Sequence, residues 1–403
     1  MLAEPTDSVV SVHGQRVGRL TRLNDDEDFR FRFLPEYADA APRRILGQQF
    51  VDRFPGGLAS SGLPGWFANL LPQGPSRRLM EGWLGLPHDE DDFDLLRGLG
   101  DDLPGAVSLQ PAQRGDGEPL ALAPAPAATA GPTSFSLAGA QRKLLIREGE
   151  RGLVLPAAGE QGSYIAKFRD PEYGDLPRLE HATTRWAREA GIDTHQTQLV
   201  PSSSISGMPE PLASEAGEAL LATRFDRRTD APGQEPARVH CEDFCQVLGL
   251  APGNDQFRPV LRQIGNVVAH LCPWSFEELV RRTVFNIVCG NGDAHAKNFA
   301  LIYDDTDRAS LSPAYDLLAT VVVPDVQRRL CLWPEADAAF EGWTREKLVG
   351  VFRGLLLTDA ELDRTVGDAV DRARRAWVDA ADGFGLPEEH REEIDRHLAG
   401  LRL

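Results

Sequence analysis

An aspartate and an asparagine with four residues between them carry the sharpest chemical signal in the chain: Asp293 and Asn298, in Gly290-Asn291-Gly292-Asp293-Ala294-His295-Ala296-Lys297-Asn298. The carboxylate can accept or orient the proton of a substrate hydroxyl, and the amide oxygen can hold a metal ion. This is the D-x-x-x-x-N spacing of a phosphoryl-transfer catalytic loop, and it occurs nowhere else in the chain. The same residue types also cap polar turns. His295 reads as a packed loop residue, since Asp293 already fills the part of base. Lys297 reads either as a steadying charge on a transferred phosphate or as an exposed loop lysine.

The residues that follow bring a second oxygen ligand. Phe299 to Tyr303, a polar turn at Asp304 to Arg308, and Ser310 to Pro313 form a hairpin pattern. Folding it returns the chain to its start, so Asp316 lands near Asn298. A carboxylate and an amide oxygen together suit magnesium, which usually takes few protein ligands and completes its shell with phosphates and waters. A cation for the nucleotide phosphates is expected from a small-lobe strand in a V-A-I-K context, and Tyr164-Ile165-Ala166-Lys167 offers it. Lysines are scarce, and one within an apolar strand needs an anionic partner. ATP is that partner, with Glu180 on the next helix a candidate second. In Ser134 to Lys143 the small residues Ala138, Gly139 and Ala140 permit close backbone approach and Lys143 adds charge, although G-x-G-x-x-G is lacking.

These groups need a scaffold. A helix over Phe276 to Cys289, announced by a capping box Ser275-x-x-Glu278 and ended by Gly290, anchors the Asp293 loop. Further helices are expected at Glu242 to Leu250, Val260 to Leu271, Arg345 to Leu357 and in the charged tail Ala360 to Leu401. The region 134–228 is strand-rich with one helix, from about Leu179 to Ala190. Residues 1–110 open on alternating apolar runs around His13-Gly14-Gln15, a hairpin signature, and turn helical later. Between them, 111–133 is dominated by Ala, Pro and Gly and reads as a linker. The expected fold class is α+β: a small N-terminal α+β domain, a β-rich small lobe at 134–228 and a helical large lobe at 229–403, arranged like a protein kinase.

Composition limits the partners. A formal charge of -18 disfavours direct contact with nucleic acid phosphates. No run of about 18 apolar residues and no secretion-type leader is present, so the expected compartment is the cytoplasm, with no membrane partner. Five cysteines without a C-x-x-C pair fit reduced thiols, and Cys241 and Cys245 would share a helix face.

The chain resembles the HipA-type toxin kinases. The motifs are Ser136-Leu-Ala-Gly-Ala-Gln-Arg-Lys143, Ala222-Thr-Arg-Phe-Asp-Arg227, Gly290 to Phe299 and Ser312-Pro-Ala-Tyr-Asp-Leu-Leu318, joined in the first domain by Phe67 to Pro72 and Asp101 to Ala106. The resemblance implies a serine/threonine protein kinase that uses ATP and Mg2+, inactivated by autophosphorylation at Ser136. It also implies adenine recognition by backbone around Thr223 to Phe225, where Thr stands in place of a frequent Glu. A small helix-turn-helix antitoxin (HipB-like) is the implied partner, reaching DNA on this chain's behalf, and an aminoacyl-tRNA synthetase is the implied class of protein substrate. Two rival readings are a small-molecule phosphotransferase and a catalytically silent antitoxin-binding corepressor scaffold.

Overall fold

The computed structural model describes the chain apart from residues 1–5, 24–27, 88–90, 101, 114–141, 151, 157–159, 171–172, 209–211, 213–216, 229–235, 259 and 334–337. The expected linker falls almost entirely outside these described residues. So does the phosphate-loop segment with Ser136, Ala138, Gly139 and Ala140.

The first domain is an antiparallel sheet covered by short helices. Its strands are β1 (Thr6–Val12), β2 (Gln15–Arg22), β3 (Asp28–Phe33), β4 (Leu58–Ser61) and β5 (Val107–Pro111), in the order β4-β3-β2-β1-β5. The β1–β2 hairpin turns at His13-Gly14, where both residues take positive φ. In β3, Phe29, Phe31 and Phe33 are buried and alternate with half-buried Arg30 and Arg32, as period-2 geometry demands of a one-sided sheet. Helices α1 (Pro35–Ala38), α2 (Gln48–Arg53), α3 (Gly65–Ala68), α4 (Gly74–Leu84) and α5 (Asp92–Gly98) follow in sequence. Phe50, Trp66, Phe67 and Phe93 from these helices close the core over the sheet.

The second sheet is the small lobe: β6 (Lys143–Gly149), β7 (Gly152–Val154), β8 (Tyr164–Lys167), β9 (Thr197–Pro201), β10 (Ile205–Ser206) and β11 (Glu218–Thr223), ordered β10-β7-β6-β8-β11-β9. One helix, α6 (Leu176–Glu189), crosses behind it. Asp175 caps its first turn by accepting the Arg178 N–H, and Gly191 at φ 84° ends it, satisfying carbonyls that would otherwise be orphaned.

The large lobe begins after a short ribbon of β12 (Arg227–Arg228) and β13 (Ala237–Arg238). It holds a small sheet, β14 (His240–Asp243), β15 (Ala300–Tyr303) and β16 (Ala309–Leu311), and the helices α7 (Phe244–Leu248), α8 (Leu261–Leu271), α9 (Phe276–Val288), α10 (Arg345–Phe352), α11 (Asp359–Ala380) and α12 (Glu388–Gly400). In α9 nearly every side chain after Glu278 is buried, so it is a central rod rather than a surface helix.

Two local expectations need correction. Glu242 to Leu250 is not one helix: His240–Asp243 pairs with β15 as strand β14, and the helix starts only after Asp243, whose side chain accepts the Gln246 N–H in a capping box. Cys241 and Cys245 therefore share no helix face, though both are buried free thiols. The box Ser275-x-x-Glu278 does not form either. A 3-10 turn over Pro273–Ser275 runs straight into α9, leaving Ser275 with φ -94° and ψ 0°, outside the extended geometry an N-cap needs. Its Oγ instead accepts the Leu311 N–H at 3.1 Å, and Glu278 turns to Arg282 at 2.9 Å.

Candidate active site

A cavity of about 390 Å3 lies where the two lobes and the first domain meet, and most of the residues singled out from the sequence face it. From β8, Lys167 is 3% exposed; its Nζ donates to Glu180 on α6 at 2.5 Å and to Asp316. Burial opposes the lysine's charge, but Asp316 and Glu180 override it and hold Lys167 protonated well above its ordinary range. Burial raises the Glu180 carboxyl more than Lys167 lowers it. Lys143, first residue of β6, stands 3.5 Å from the other Asp316 oxygen. Burial alone would raise Asp316, yet the charges of Lys143 and then Lys167 hold it far below the usual carboxylate range.

The hairpin argument for Asp316 is realised in the backbone. Strands β15 and β16 pair antiparallel, with Leu301 opposite Leu311, and the Ser312 N–H reaches back to the Ala300 carbonyl at 2.9 Å. Asp316 then sits at φ 52°, a left-handed conformation that a non-glycine residue adopts at a cost of order 1 kcal/mol. Asn298 and Asp316 both line the cavity. Asp293 does not line it; its loop is held behind Asn298, whose Nδ2 donates to the Asp293 carbonyl at 2.9 Å, while the Asp293 N–H donates to Asn291 Oδ1 at 3.1 Å.

His295 and Lys297 end up in different circumstances. His295 is 2% exposed and meets Phe257 edge-on at 5.1 Å; burial pushes its pKa down to about 3, so the ring is neutral. Lys297 is held by the Asn69 carbonyl at 2.7 Å and by Asp243 at 2.9 Å. On the segment joining the lobes, the Thr223 N–H donates to Gln196 and the Arg224 N–H to Ser163. The Phe225 ring packs on Tyr315 with centroids 5.2 Å apart.

Sequence reasoning missed four contributors. Tyr315, half-buried, donates its hydroxyl to the Lys297 carbonyl at 2.7 Å. His195 lines the cavity as a neutral ring, burial pushing its pKa to about 3. Asn69 and Asp102 enter from the first domain. A usable signal was present: the chain contains only four lysines, at 143, 167, 297 and 347, and three of them line this cavity.

A strand-rich lobe carrying a buried Lys–Glu pair above a helical lobe carrying an Asp/Asn loop defines the protein-kinase-like two-lobed fold. The family model described as "HipA-like C-terminal domain" matches residues 135–396, and "HipA N-terminal domain" matches residues 8–110. This chain belongs to the HipA family. It is 32% identical to "Putative kinase Y4dM" of Sinorhizobium fredii over 98% of this chain and 97% of that one. It is 24% identical to "Serine/threonine-protein kinase toxin HipA" of Shewanella oneidensis, across 50% of this chain and 47% of that one. The fold matches HipA in the Shewanella oneidensis complex of HipA, HipB and operator DNA with a TM-score of 0.74, at 20% identity, covering 98% of this chain and 96% of that one. Among the described residues, no helix is long and apolar enough to cross a membrane.

Proposed function

We propose that this chain is a toxin-type serine/threonine protein kinase that uses ATP and magnesium to phosphorylate a hydroxyl of a cellular protein and of its own Ser136. The observation that carries the reading is the convergence of Lys167, Lys143, Asn298 and Asp316 on one cavity, with buried Glu180 paired to Lys167. Phosphoryl transfer leaves a protein little covalent chemistry to perform, so positioning and charge supply most of the acceleration.

Lys167, fixed by Glu180, and Lys143 hold the nucleotide phosphates, and the backbone at Thr223 to Phe225 holds the adenine. Asp293 takes the proton of the acceptor hydroxyl as that oxygen bonds to the γ-phosphorus, while the bond to the bridging oxygen breaks and ADP leaves with the electron pair. Asp316 and Asn298 are hard oxygen donors, a set that fits magnesium. These two side chains would hold magnesium, which would supply neutralisation of phosphate charge. Relatives named as kinases and the presence of HipB and operator DNA with the similar HipA fold support the reading. A small helix-turn-helix antitoxin is the proposed partner, and it supplies the positive surface for DNA that a chain of charge -18 lacks.

Intact-mass spectrometry of the purified chain with ATP and magnesium tests this. The expected result is phosphate on Ser136, formed at least about a hundredfold more slowly by Asp293→Asn. A wild-type chain that binds no nucleotide and gains no phosphate would leave only an antitoxin-binding scaffold. Efficient transfer to a sugar or an aminoglycoside would instead make it a small-molecule phosphotransferase.

A further inference from the structure

Two first-domain motifs, Phe67 to Pro72 and Asp102 to Ala106, have no part in the chemistry above, yet each ends on a functional segment of the cleft. Asn69 is 4% exposed at the end of α3. Its Nδ2 donates to the carbonyls of Gly65 and Leu250, both at 2.8 Å. Its carbonyl and Oδ1 accept from Lys297 Nζ at 2.7 and 3.3 Å, and Asp243 takes the ammonium at 2.9 Å. An ammonium has three donors, and these three oxygens use them all. Lys297, directly before Asn298, is thereby tethered to the first domain.

Asp102 does the same for the segment between the lobes. Its Oδ1 accepts from Arg224 at 3.0 Å and from Arg227 at 2.6 Å, the residues on either side of Phe225 and Asp226. Its Oδ2 accepts the Gly162 N–H of the small lobe at 3.1 Å. Asp226 accepts the Gly105 N–H at 2.8 Å, and Arg227 donates to the carbonyls of Gly105 and Leu103 at 2.9 and 3.0 Å. A third grip lies on the small lobe, where Ser76 Oγ of α4 accepts the Lys143 N–H at 2.9 Å. Two lobes joined only through their connecting segment can open freely. A third body bonded to both lobes and to that segment sets the opening.

We propose that the N-terminal domain is a clamp across the nucleotide cleft, in which Asn69 positions the Lys297–Asn298 end of the catalytic loop and Asp102 positions the connector at Phe225. The inference rests on the kinase reading of the cleft. Neither residue touches the reacting atoms; both are positioning residues. Their effects separate because they act on different segments: Asp102 governs how the nucleotide is held, Asn69 how the reacting group is presented.

The test uses the full-length chain with Asp102→Asn and Asn69→Ala, measuring ATP affinity by calorimetry, kcat by phosphate incorporation, and amide hydrogen exchange by mass spectrometry. Asp102→Asn is expected to weaken ATP binding about tenfold with little change in kcat, and Asn69→Ala to lower kcat about tenfold with ATP affinity nearly intact. Exchange should quicken in 223–227 for the first variant and in 290–299 for the second. Asn69→Ala and Asn69→Ser both keep the backbone acceptor and remove the amide that fixes it to Gly65 and Leu250, so should Asn69→Ala not fold, Asn69→Ser replaces it with the same pattern expected. The clamp is overturned if exchange in both segments stays at the wild-type rate, or if both variants lose affinity, kcat and thermal stability in one common proportion. A wild-type chain that binds ATP yet transfers nothing sinks the kinase reading alone, and affinity with exchange then judges the clamp; one that binds no ATP leaves exchange to judge it.

Discussion

Lys167 shows what a single residue contributes and what it costs. It is buried between two carboxylates, one of them fully buried, so the group is an ion triad whose stability depends on completeness. Removing one member of such a group leaves an uncompensated charge, with a cost of roughly 3–5 kcal/mol. Lys167→Met should therefore destabilise the chain strongly in urea titration, because Glu180 is left without its cation. Lys167→Met combined with Glu180→Gln should regain much of that stability while still failing to bind ATP. A double variant no more stable than the single one would show that Glu180 is not the partner that matters. Lys167 was legible in the sequence because a lysine inside Tyr-Ile-Ala-Lys is anomalous on an apolar strand. The role of Lys297 was not legible: its tether, Asn69, lies 228 residues away, and only the folded chain brings them together.

At the level of elements, the loop from Asp293 to Asn298 inherits its position from the end of α9. Gly290 adopts φ 72°, and a Cβ added there would lie 2.3 Å from Val321. Gly290→Ala must therefore accept a left-handed alanine and also push the segment after Asp316 aside, at a combined cost of about 2–4 kcal/mol. Chemical denaturation should read that loss, and phosphate incorporation should fall with it because Asp293 and Asn298 move together with the loop. A variant as stable and as active as wild type would separate the helix end from the site. That helix end, the β15–β16 hairpin and the first hairpin at His13-Gly14 were readable because their signals are local: a glycine after a periodic run, or apolar alternation around a turn. Strand β14 was not, since its pairing with β15 is a contact across about sixty residues, and helical spacing of Phe244 and Val247 extended the apparent helix backward over Glu242. Ser275 failed as a cap for a similar reason, its hydroxyl being drawn to Leu311 by the hairpin packed beside it.

At the scale of the whole molecule, the first domain docks on the large lobe through a buried carboxylate that has no cationic partner among the described residues. Glu242 on β14 is fully buried; it accepts the Gln48 N–H at 3.0 Å, the Trp66 indole N–H at 3.1 Å and the Tyr303 hydroxyl. Burial pushes its pKa up to about 7, and these donors only partly offset the shift. The folded chain thus keeps this proton to near neutrality, whereas the unfolded chain releases it near the ordinary value of about 4.5. The group's stabilising contribution is complete below that lower value and is lost as pH rises through about 7. The buried neutral histidines His195 and His295 act in the opposite sense, losing stability as pH falls below their ordinary value of about 6.5. A bare stability profile mixes the two effects, but a difference between wild type and Glu242→Gln isolates the carboxyl. The stability of Glu242→Gln relative to wild type should rise between pH 5 and 8 by up to about 3 kcal/mol, the variant lacking a proton to lose. Urea titrations of both chains across that range measure it. A flat difference would mean that the carboxyl titrates in water and that the first domain does not seal this junction, which would also loosen the clamp that depends on it.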